Sequence, residues 1–227
     1  MTNNTKQILI LIGMFIIAIA LWDTVVIYPI KIFVVMLHEI SHGLMAELVG
    51  GDIIKIEINQ MMGGSCTSSR PPGFWPSFMI ASAGYLGSLI WGVIIFLTAS
   101  RTKYARILAS AIGIGSLIIT YYVIKSGELF GILFCTGFTL FMFASVKYLP
   151  LHLLQYLLKF IGLTSCLYVI LDIKSDLISR SGIGSDADRI AEMTGIPSVV
   201  IGIAWMAIAV VIVYYMLKHS LPRVKNR

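Results

Sequence analysis

His38-Glu39-Ile40-Ser41-His42 is an H-E-x-x-H pattern. Residues four apart lie on one face of a helix, so both imidazoles can reach a single zinc ion, and Glu39 beside them can take a proton from a water that the metal activates. Zinc lowers that water's pKa toward about 7 and polarises a carbonyl oxygen, which is the chemistry of peptide-bond hydrolysis. With 4 histidines in 227 residues, chance produces the pattern roughly once in a thousand shuffled sequences, from the product of residue frequencies for such a motif. The alternative is a polar seam between helices. It is the weaker reading because ionisable groups at membrane depth are costly and mark functional sites.

A catalytic zinc needs a third protein ligand and an open fourth position. Two histidines remain: His219 lies in a basic tail and His152 directly after Pro150, near a membrane boundary. A carboxylate fits better. Asp172 closes the apolar run Leu167-Tyr168-Val169-Ile170-Leu171 and so comes nearest to membrane depth late in the chain, with Asp176 one turn later as the reserve. The competing role for Asp172 is to end the span. Asp186 and Asp188 read as acids suited to the amino terminus of a helix.

The elements that carry these residues are set by composition. Hydrophobic residues make up 58% of the chain and charged residues 12%, against about a quarter charged in a soluble domain. This excludes a soluble, disordered or disulfide-stapled protein and leaves an integral membrane protein. The net charge of +6 reflects basic loops and a basic tail at a membrane surface and implies no nucleic-acid partner. Cys66, Cys135 and Cys166 lack metal-ligand spacing.

A helix crosses the bilayer core in roughly 20 residues. Apolar runs at 7–28, 31–49, 75–99, 104–124, 128–148, 151–172 and 197–217 predict an all-α polytopic fold of six to seven transmembrane helices in one domain over 1–227. The small-x-small triplet Ala18-Ile19-Ala20 is buried within its run, so the first helix is read as retained. Ile54-Lys55-Ile56-Glu57-Ile58-Asn59 alternates as a strand does, and Gly63-Gly64 reads as a turn, which gives a β-hairpin insertion at about 50–70. A polar segment at about 173–197 contains Ser185-Asp186-Ala187-Asp188, a capping box, and ends at Gly195 and Pro197, which predicts a short helix near 186–194. Arg101, Lys103, Arg106 and the basic tail belong on the cytoplasmic side of a cell membrane, and seven spans then put the amino terminus outside.

With these motifs in order the chain resembles the site-2 proteases, polytopic zinc metalloproteases that cut within the membrane. The resemblance rests on His38-Glu39-Ile40-Ser41-His42 in an apolar helix, the Gly-rich strand and turn with Gly63-Gly64, Ala83-Gly84-Tyr85-Leu86 where the family often has Ala-Gly-Pro, and Leu171-Asp172 where it has Leu-Asp-Gly. It implies zinc on His38, His42 and Asp172, Glu39 as general base, and a membrane-spanning protein as substrate within the lipid bilayer. Tyr85 and Ile173 depart from the family pattern, and its Asn-x-x-Pro stretch is absent, which marks a divergent subgroup. The family also puts the strand on the cytosolic side, against the seven-span count. A strand over Ile53–Met61 can hold an unwound substrate by strand addition, or it can simply connect elements. Two other functions fit these residues: a transporter or channel with His38, Glu39 and Asp172 as an ion relay, and a silent membrane-binding protein, against which the intact Glu39 argues.

Overall fold

Lipid offers the backbone no hydrogen-bond partners, so apolar runs of this length must satisfy their own peptide groups as helices. The computed structural model describes residues 3–178 and 184–220, with backbone alone for 3–7, Thr102 and 175–178. The elements are α1 Asn3–Ala20, α2 Tyr28–Leu48, β1 Ile53–Ile58, β2 Gly64–Ser68, α3 Phe74–Ala99, α4 Ala105–Ile124, α5 Leu129–Tyr148, α6 Leu151–Ile178, α7 Asp186–Thr194 and α8 Ser198–Ser220. Helices α3, α4, α5, α6 and α8 are long and apolar enough to cross a membrane. The protein is thus a polytopic helical bundle with one small hairpin.

The central seam is α3 against α6. It closes tightly because Gly92 and Gly162 carry no side chain: a Cβ at Gly162 would lie 2.7 Å from the Gly92 carbonyl oxygen, the close approach that small residues permit between membrane helices. Across the same seam Ser165 donates to the Ser88 carbonyl at 2.9 Å.

Helix α2 begins with Pro29 in its first turn, where a missing N–H costs nothing. It ends at Gly50, whose φ of +89° suits glycine. Gly51 then passes so close to the Ser69 carbonyl that a Cβ would meet its oxygen at 2.1 Å. The hairpin folds back along α2. Ile58 pairs with Gly64 and Ile56 with Cys66, and the register shifts between Ile53 and Lys55. Because of that shift Ile53, Ile56 and Ile58 are buried while Ile54 is half exposed, so the strict alternation read from the sequence breaks at its first residue. The turn is held by Asn59, whose side-chain oxygen accepts from the Met61 and Gly63 N–H groups.

Helices α1 and α2 run in the same sense, contrary to two separate crossings. Trp22, just past α1, packs on Tyr168 of α6 at 6.1 Å between ring centroids and accepts from Lys31 of α2. His38 then lies beside Tyr85 and His42 beside Ile80, so α2 descends the numbering of α3 as α6 does. Ile10 and Leu11 of α1 share a cavity with Ser100 and Ser220. The start of α1 and the end of α8 therefore lie at one end of the bundle, and the expected separation of the two termini is corrected. Counting 7–28 and 31–49 as two crossings makes them opposed, whereas the contacts of Trp22, His38 and His42 set α2 in the same direction as α1.

Candidate active site

Helix α2 presents His38, Glu39 and His42 on one face, as the i, i+4 spacing requires. The third group at this face comes from α7. Asp186 Oδ2 lies 3.1 Å from His38 Nε2 and 3.1 Å from His42 Nε2, and the two imidazole nitrogens are 3.1 Å apart. The three side chains are 14%, 6% and 8% exposed. Two ligands at about 2.0–2.1 Å from a tetrahedral zinc stand roughly 3.3 Å apart, so this near-equilateral triangle of donors fits one metal ion.

The donor chemistry fits as well. His42 Nδ1 lies 2.7 Å from the Ile80 carbonyl oxygen. A carbonyl only accepts, so Nδ1 carries the proton and Nε2 presents its lone pair, the arrangement that orients metal-ligating histidines. Asp186 Oδ2 is buried without a hydrogen bond among the described residues. Burial pushes its carboxyl up, but without a metal the charged imidazolium forms of His42 and His38 outweigh this and hold it well below the usual carboxylate range. It is therefore a carboxylate, ready to ligate.

Asp186 reaches this position because α7 is well specified locally. Ser185 Oγ accepts from the Asp188 N–H, and the Asp188 side chain accepts from the Ser185 N–H, which closes the capping box. Gly195 ends the helix in the left-handed region with φ +75°. Ala187 and Ile190 sit in the core beside Tyr85, Ile201 and Trp205, which seats the first turn of α7 against α3 and α8.

Two glycines make room for the site. A Cβ at Gly84 would stand 2.4 Å from both His38 Nε2 and His42 Nε2, so the glycine of Ala83-Gly84-Tyr85 is the floor beneath the donor pair. A Cβ at Gly64 would stand 2.7 Å from Glu39 Oε1, so the backbone of β2 covers the buried Glu39. A cavity of about 240 Å³ opens above these groups, and its walls include Met62 to Cys66, Tyr85, Tyr168, Asp172 and Arg189. Burial, with Glu39 nearby, pushes the Cys66 thiol up to about 12, so it faces the cavity as a neutral group.

The structure brings His38, Glu39 and His42 together as their spacing predicts. At the third position it differs from the sequence reading. Asp172 lines the cavity wall, but the metal-capable cluster among the described residues is His38, His42 and Asp186. Asp172 stands on the α6 wall of the cavity, close to the end of its apolar span at Lys174, whereas α7 carries Asp186 to within 3.1 Å of both imidazoles. The side chain of Asp176 lies outside the described residues. Sequence reasoning also missed the Ile80 carbonyl and Arg189. One signal for Asp186 was present: Ser185 and Asp188 complete the capping box by themselves, so the Asp186 side chain is not taken up by it. The strand at the cavity is β2, whereas Ile53–Met61 was the expected one. Ser116 and Thr120, scattered polar residues relevant to an ion path, lie on α4 and are not part of the cavity wall.

The sequence model of the peptidase M50B-like family matches residues 11–216. No curated protein and no solved structure gives a match. The match spans the H-E-x-x-H helix, the hairpin, Gly84 and the helix that carries Asp186, and the chain belongs to the peptidase M50B-like family, which bears out the resemblance to the site-2 proteases.

Proposed function

We propose that this membrane protein is a zinc-dependent endopeptidase acting on membrane-embedded substrates, with zinc held by His38, His42 and Asp186 and with Glu39 as general base. The observation that carries the reading is the triangle of three donors 3.1 Å apart beside a buried carboxylate at one cavity. When bound there, zinc supplies Lewis acidity and lowers the pKa of a water. Glu39 removes a proton from the attacking water and returns it to the leaving amine. Its burial under Gly64 and against Val35 keeps bulk water from competing for that proton. His42 is held in one tautomer by the Ile80 carbonyl, and Gly84 keeps the floor open.

A helical substrate hides its carbonyls, so the reacting segment must unwind before it reaches the cavity. Strand β2 pairs with β1 on one side and lines the cavity through Gly64, Ser65 and Cys66, so its other edge is suited to hold an extended peptide by strand addition. Asp172 and Arg189 are polar groups within reach of that peptide's backbone in the same cavity.

The test is reconstitution of wild type and Glu39→Gln with a panel of single-span substrates, with bound metal measured in both. Cleavage by the wild type alone, with metal retained in both, supports the protease. Ion flux in the wild type without cleavage would favour the relay reading.

A further inference from the structure

All eleven acidic residues fall in three stretches, 23–57, Glu128 and 172–192. The segments that build the other end of the bundle contain none. At that end α3 finishes, α4 begins, α5 finishes, α6 begins and α8 finishes, and they contribute Arg101, Lys103, Arg106, Lys147, Lys159 and Lys218. Five of these six lie within the loops or at the helix ends, as charges beside a membrane do. Lys159 does not. It sits two turns inside α6, half-buried, in a cavity of about 170 Å³ whose other walls are Ser100, Gln155, Tyr156, Ser220 and the apolar side chains of α1.

A cation placed inside a bundle normally meets a carboxylate, because an uncompensated charge away from water is costly. Among the described residues no acidic side chain lines this cavity, and the neighbouring segments carry no Asp or Glu. The wall instead offers neutral polar groups: Tyr156 and Gln155, beside Ser100 and Ser220, whose hydroxyl protons go to the Phe96 and Leu217 carbonyls. One ammonium beside the Tyr156 hydroxyl, walled by the apolar Ile10 and Leu11, suits a singly charged phosphodiester that carries acyl chains.

We propose that this cavity binds the phosphate of an anionic phospholipid, with Lys159 as the charge partner and α1 as the wall for the upper acyl chain. Free phosphate shares the headgroup chemistry but makes no use of the apolar wall. The site lies across the bundle from the metal cavity, and its occupancy does not depend on any step of peptide hydrolysis.

The test uses the full chain in nanodiscs made of equal parts phosphatidylglycerol and phosphatidylcholine, with co-purifying lipid counted by mass spectrometry. Wild type is expected to retain phosphatidylglycerol over phosphatidylcholine. Lys159→Gln is expected to lower that ratio at least about tenfold, the loss of a charge-assisted hydrogen bond, while Lys159→Arg keeps it and Lys103→Gln, outside the cavity, lowers it by no more than about fivefold, the diffuse attraction of one surface charge. Equal losses in Lys159→Gln and Lys103→Gln would mean a diffuse surface attraction and would overturn the site. Displacement of the lipid by millimolar inorganic phosphate would overturn the lipid assignment. A measurement on the wild type alone guards against a variant that fails to fold: a phosphatidylglycerol with a photoreactive headgroup is expected to label the segment Gln155–Lys159, and labelling confined to the loop at 101–106 would contradict the proposal.

Discussion

At one end of the bundle His38, Glu39, His42 and Asp186 meet in a cavity walled by a hairpin and a short polar helix; at the other, Lys159 and the Tyr156 hydroxyl face a cavity walled by an apolar helix. The first end mixes acids with histidines and closes its charges on one another within 3.1 Å. The second is basic throughout and leaves its charges to the surroundings. Buried polar groups at the first end are therefore fixed by protein geometry, and small changes there should have large consequences. Changes at the second should alter which lipids surround the protein and leave its chemistry intact.

The sharpest way to break this contrast is at Glu39. Glu39→Gln keeps shape and removes the base, so cleavage of a single-span substrate is expected to fall by about 10²–10⁴-fold, the contribution of a positioned general base, with bound metal unchanged. Gly84→Ala comes next. Its methyl group must push on both donor nitrogens, now 2.4 Å from where it would stand, and metal affinity by titration is expected to fall by about 10–100-fold, as when the support of a ligand is disturbed. Weaker still is Ser185→Ala, which loses an amino-terminal cap worth about 1 kcal/mol. The melting temperature should drop by roughly 2–4 °C for a chain of this size, and metal affinity should drop with it because Asp186 follows directly. None of these substitutions should alter the phosphatidylglycerol preference assigned to Lys159.

The smallest effect is that of pH on the α7 cap. Burial raises the carboxyl of Asp188, but hydrogen bonds from the Ser185 side chain, Ser198 and the Ser185 and Gly184 N–H groups outweigh it and leave it lowered from 3.8. A carboxyl lowered on folding stabilises the native state above its unfolded pKa and loses that contribution as pH falls through the folded value. The contribution of the cap, read as the difference in melting between wild type and Ser185→Ala, should thus be constant above about pH 5 and shrink in acid.

Much of the metal end was legible in the sequence because its signals are local. The i, i+4 histidines, the capping box before α7, its stop at Gly195 and the turn at Gly63 each depend on neighbours in the chain, and each formed as the spacing implied. Gly84 was read as part of Ala83-Gly84-Tyr85-Leu86, and its closeness to both histidines gives that motif a purpose. The choice between Asp172 and Asp186 was not local. Nearness to an apolar run stood in for nearness to the metal, and it favoured Asp172, whereas the proposal of Asp186 rests on how Ala187 and Ile190 seat α7 on α3 and α8. The direction of α2 was hidden for a similar reason: two apolar runs in succession read as opposed crossings, and only the contacts of Trp22 and His38 with α6 and α3 reveal that they run the same way.

The central claim is that the third ligand belongs to α7. Metal content of the purified full chain, measured by elemental mass spectrometry after dialysis against a weak chelator, tests it in wild type, Asp186→Asn and Asp172→Asn. Near-stoichiometric zinc in wild type and Asp172→Asn, with little in Asp186→Asn, is the predicted result. Zinc retained by Asp186→Asn and lost from Asp172→Asn would contradict it.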